Sequence, residues 1–77
     1  MPQIFKTSEF NLTAFCLCNG AELRAIDKTE KRAVFELVFR ESPKSIIDAF
    51  WADTPVPVNQ FVGAQAEVKK RLFSDAF

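Results

Sequence analysis

Residues 32–40 alternate strictly between two sides of an extended segment. Ala33, Phe35, Leu37 and Phe39 fall on one side, and Arg32, Val34, Glu36, Val38 and Arg40 on the other. A period of two predicts a strand, and its wholly apolar side must face a core. The reverse side is mixed, with Val34 and Val38 among charges, which is unusual for a fully solvated sheet face. Either another element covers that face or a partner does. Upstream, residues 22–26 form a weaker strand candidate. The polar link 27–31 between the two predicts an antiparallel hairpin, although no Asn-Gly or Asp-Gly pair specifies the turn.

Helical patterns flank this hairpin. Thr7, Ser8 and Glu9 read as a helix start, with a hydroxyl to cap and an acid near the positive end of the dipole, while Phe5 is placed to staple onto the first turn. From Glu9 to Asn19 the apolar residues Phe10, Leu12, Ala14, Phe15, Cys16, Leu17 and Cys18 cover nearly the whole circumference, so this helix is mostly buried. Gly20 follows as its left-handed cap. Ser42 and Pro43 open a second helix running to about Ala52, whose stripe is Ile46, Ile47, Phe50 and Trp51. Pro55 and Pro57 break it. Asn59 is positioned to cap a third helix from about Gln60 to Ser74, with Phe61, Ala64, Val68 and Leu72 inward and Gln65, Lys69 and Lys70 outward. Residues 3–6 add an optional short strand or arm.

The predicted fold is therefore a small α+β domain of order (β)-α-β-β-α-α, an antiparallel hairpin packed on helices. One domain spanning residues 1–77 is expected at this length. Such a short chain often gains stability from disulfides, metals or oligomerisation. Cys16 and Cys18, two apart on a helix, point to different sides and read as small buried hydrophobes, neither a disulfide nor a zinc site. No secretory h-region and no long apolar run stands out, so a cytoplasmic, reducing location without membrane insertion is expected. Oligomerisation is the remaining route.

Segments Lys6-Thr7-Ser8-Glu9-Phe10 leading into an apolar helix, Gly20, a hairpin ending in Val34-Phe35-Glu36-Leu37-Val38-Phe39, then Ser42-Pro43 and Ala49-Phe50-Trp51 carry a further signal. Together they resemble a small, uncharacterised bacterial and phage domain family along nearly its whole length, including a closing helix with a phenylalanine near its start and a basic run near its end. The chain departs from that pattern at Asn59, where an acidic cap is usual, and at Cys16 and Cys18, where aliphatic residues are usual. The resemblance implies the architecture and carries no catalytic residue.

Composition narrows the chemistry. The chain has nine phenylalanines, one tryptophan, no tyrosine and no histidine, which points to packing surfaces and removes the commonest general base near neutral pH. The acids are scattered, only two glycines are present, and no phosphate loop can be built from them. We therefore expect no enzyme and no cofactor. Ten acids balance ten bases, so no global field steers the chain toward polyanions. Protein recognition fits best, with self-association into a homo-oligomer through Val34, Val38, Trp51, Val56, Phe73 and Phe77, and Trp51 as anchor. A competing reading has Trp51 closing the core under the proline loop. Nucleic-acid binding is the alternative, through Lys28, Lys31 and Arg32 around the hairpin loop and Lys69, Lys70 and Arg71 at the last helix end. A solvated turn and a helix-end charge run account for the same residues.

Overall fold

The strictly alternating segment becomes the middle strand of a three-stranded antiparallel sheet of order β1-β3-β2. The computed structural model describes residues 2–29 and 31–73. Its elements are β1 Gln3–Thr7, α1 Phe10–Cys18, β2 Glu22–Asp27, β3 Val34–Phe39, α2 Lys44–Trp51 and α3 Val58–Leu72. The fold is α+β, with strands and helices interleaved in the expected order, and the optional first segment is a true strand.

Alternation on β3 sorts its side chains as its pattern requires. Phe35, Leu37 and Phe39 are buried, whereas Val34, Glu36 and Val38 are half-buried on the reverse face. Phe5 of β1 and Leu23 of β2 lie opposite Leu37 from the two sides. On β2 the register slips: Leu23 faces Leu37 while Ala25 already faces Glu36. This bulge inserts one extra residue, and it lets Leu23 and Ile26, three apart, share the core side. A regular strand would have turned Ile26 outward.

Leu12, Thr13, Ala14, Phe15 and Cys16 form an unbroken buried run on α1, as expected of a helix apolar all round. Leu12 and Cys16 join Ala21, Leu23, Phe35, Leu37, Phe39 and Val68 in one core, and α2 adds Ile46, Ile47 and Phe50 at its margin. Thr13 is buried with its hydroxyl donating to Glu9 O at 2.9 Å, so no polar group is stranded there. Phe15 and Phe50 meet edge to face at 5.6 Å. Phe5 does not staple onto α1. Its ring lies edge-on to Phe39 at 6.4 Å instead, because pairing of β1 with β3 carries it to the sheet.

Two helix ends share one geometry. Gly20 donates to Leu17 O and Ala21 to Cys16 O, the paired bonds that close a helix when the intervening residue is left-handed, and Gly20 has φ +92°. At the end of α2, Asp53 donates to Phe50 O and Thr54 to Ala49 O. There the left-handed residue is Asp53, at φ +57°. The helix starts differ from expectation. Glu9 is the first cap of α1 without a side-chain bond, and the Thr7 hydroxyl accepts from Glu9 N–H in a local turn. Asn59 is not a cap, since α3 already starts at Val58 and Phe61 N–H bonds Pro57 O. Pro57 is extended, and its fixed φ serves as the helix entry.

Candidate functional site

The five apolar candidates among the described residues do not converge on one patch. Val34 and Val38 belong to the outer sheet face, where Ile4, directly opposite Val38, is 52% exposed. Lys6, Arg24 and Ala25 on the flanking strands are exposed as well. No described element covers this face; the two valines owe their partial burial to the neighbouring strands. At its centre Glu36 forms ion pairs to both sides, with Lys6 Nζ at 3.7 Å and Arg24 Nε at 3.2 Å. That row of opposite charges across three strands suits a solvated face.

Trp51 lies in the helix layer. It is 65% exposed, edge-on to Phe50 at 5.0 Å, so it neither completes the α2 stripe nor closes the core under the proline loop. The turn that starts at Ala52 carries the chain away before anything covers the indole, and Pro55 and Pro57 are themselves exposed. Val56 is half-buried in the loop. Phe77 lies outside the described residues, as does Ser74.

On α3 the inward stripe is confirmed, with Val68 fully buried and Phe61, Ala64 and Leu72 half-buried. A second stripe accompanies it. Val58 is 73%, Val62 54% and Phe73 75% exposed, and with exposed Ala66 they fall within an arc of roughly 80° at about 100° per residue. Their spacing was readable in the sequence, where the stronger stripe and the placement of Val58 in the loop hid it. Gln65, expected to point outward, donates to Asn11 Oδ1 at 3.0 Å and ties α3 to α1.

Among the cationic candidates the structure separates roles. Arg32 pairs with Glu9 at 3.6 Å. Lys31, Lys69 and Lys70 are exposed. Lys28 and Arg71, one from the hairpin and one from the last helix turn, border the same hollow of about 260 Å³ together with Arg24, Ala25 and Ile26. Arg71 Nη1 donates to Leu23 O at 2.8 Å, beside the bulge. A larger hollow of about 530 Å³ opens between the α1 cap and the β3–α2 junction, bordered by Gly20, Phe39, Arg40, Glu41, Ser42 and Ser45 among others.

The family described as a domain of unknown function (DUF5659) matches residues 2–74, nearly the whole of the architecture just described. The chain belongs to that family. No curated protein and no solved structure matches it.

In this family member the two cysteines are free thiols. Burial pushes the Cys16 thiol from 9.0 up to about 11, and it raises Cys18 as well. Both shifts move away from the thiolate that a nucleophile or metal ligand must be. Among the described residues no group of three or more His, Cys, Asp or Glu could hold a metal ion, and no helix is long and apolar enough to cross a membrane.

Proposed function

We propose that this domain is a non-enzymatic interaction module that self-associates through the second stripe of α3. One observation carries the reading: Val58, Val62 and Ala66 form an apolar line on α3, joined on the same side by Phe73 just past the helix end and interrupted only by exposed Lys69, while the other stripe of the helix already satisfies the core. A helix in a soluble monomer needs one such face, not two. The occupant is a second copy. About a two-fold axis at the small Ala66, two antiparallel α3 helices approach closely, and the bulky Phe73 of each packs over Val58 of the other, a self-complementary contact. Zero net charge offers no mutual repulsion between copies. Because a stable interface takes about 800 Å² per partner and one helix stripe supplies only part of it, the association is weak and concentration-dependent. A reducing cytoplasm, bacterial or phage, is the setting this reading takes, and there Cys16 and Cys18 remain thiols.

Sedimentation velocity across a dilution series tests the proposal. The wild-type chain should move from dimer toward monomer on dilution, and Val62→Glu should be monomeric throughout with an unchanged circular dichroism spectrum. A wild-type chain that stays monomeric at high micromolar concentration refutes it.

A further inference from the structure

The hollow on the edge of β2 joins residues that are remote in sequence and alike in charge. Arg24 comes from the bulge, Lys28 from the end of the strand and Arg71 from the last turn of α3, with only Ala25 and Ile26 between them. We propose that this hollow binds a phosphate group.

Three features support the assignment. The first is the charge of the lining, which contains three cations and no carboxylate. One of the three, Arg24, shares Glu36 with Lys6, so a bound oxyanion competes with that carboxylate for its guanidinium; Asp27 Oδ1 accepts from the Thr29 amide and hydroxyl. The second is preorganisation. Arg71 is held by its bond to Leu23 O, an uncharged acceptor that leaves the cation's charge intact and its remaining N–H groups free to grip two oxygens of one oxyanion. Among the described residues it forms no ion pair. The third is size, since about 260 Å³ is several times the roughly 30 Å³ of a water molecule in the liquid. A phosphate group with part of what it is attached to fits there.

That chemistry is common to a small phosphorylated molecule and to the backbone of a nucleic-acid strand. Lys31 beyond one end of the strand and Lys69 and Lys70 beside Arg71 add exposed positive charge outside the hollow, which only an extended polyanion would use. The site is independent of self-association, because Arg71 leaves α3 on the side opposite the Val58–Phe73 stripe.

Two probes separate the sources. Pyrophosphate added to isotope-labelled protein should shift the amide resonances of residues 24–28 and 71. A fluorescent single-stranded oligonucleotide should gain anisotropy at low salt and lose it as salt rises. Lys28→Glu and Arg24→Gln, each checked for an unchanged amide spectrum, should weaken both probes by roughly tenfold. Lys70→Ala should weaken the oligonucleotide alone. Binding of pyrophosphate without the oligonucleotide assigns the site to a small phosphorylated molecule. The proposal is overturned if neither probe binds at low salt, or if Lys28→Glu and Arg24→Gln bind both probes as tightly as the wild type.

Discussion

The two matched helix ends permit a paired stability measurement. Gly20 sits at φ +92° and a Cβ built on it would meet nothing within 4 Å, so Gly20→Ala introduces no clash and its effect is that of the backbone alone. A left-handed L-residue costs about 1–2 kcal/mol, while the stiffer unfolded chain returns about 0.4–1 kcal/mol. The net expectation is a loss of roughly 1 kcal/mol, or a fall in Tm of about 4–8 °C for a domain this small. Asp53 is the mirror case. It occupies the same position at φ +57°, and its side chain forms no hydrogen bond or ion pair among the described residues. Asp53→Gly therefore relieves the strain without losing a contact, less the cost of a more flexible unfolded chain, and should raise stability by a few tenths to about 1 kcal/mol. Urea unfolding followed by circular dichroism reads both, with unchanged m-values as the check that only stability moved. A Gly20→Ala chain as stable as the wild type, or an Asp53→Gly chain less stable than it, would refute the reasoning.

Other expectations follow from burial and bonding. Cys16 binds its proton more tightly folded than unfolded, so its stabilising contribution is whole below about 9 and fades as pH rises toward about 11; that window spans roughly 2–3 kcal/mol at most. Cys16→Ala should flatten this alkaline decline in urea titrations at stepped pH, and an unaltered slope would count against the buried thiol as its cause. Leu37→Ala, at a fully buried position, should cost about 2–5 kcal/mol out of the roughly 4–11 kcal/mol available to a chain of this length. Val34→Ala on the outer face should cost under about 1 kcal/mol by the same denaturation assay. Arg71→Met should lower stability by about 1 kcal/mol through the lost bond to Leu23 O, and a neutral result would mean that water replaces the guanidinium there.

Legibility varied with the range of the interactions involved. β3 was plain because its alternation runs unbroken, and α1 because residues apolar all round leave a helix no exposed side. Gly20 announced its own conformation; Asp53 did not, since aspartate is compatible with many backbones. The bulge on β2 was invisible because it exists only in register against β3, and it is what turns Ile26 inward. Asn59 is a good cap by type, but the proline two residues earlier set the entry to α3. The candidate surfaces divided for a similar reason. Periodicity says which side chains share an element's face, whereas the meeting of Arg24, Lys28 and Arg71 depends on where α3 ends against β2. Trp51 completed a stripe on paper, yet the turn after it left the indole uncovered.

The strand order also has a consequence for synthesis. β1 pairs only with β3, so it leaves the ribosome before its hydrogen-bonding partner exists. At about 5–20 residues per second it waits on the order of seconds, while β2 and β3 can close on each other as soon as both are out. Nascent chains therefore pass through a stage in which the edge destined for β1 stands open, with Phe39 deprived of the ring of Phe5. In a crowded polysome this is the interval in which neighbouring chains can capture one another's first strand.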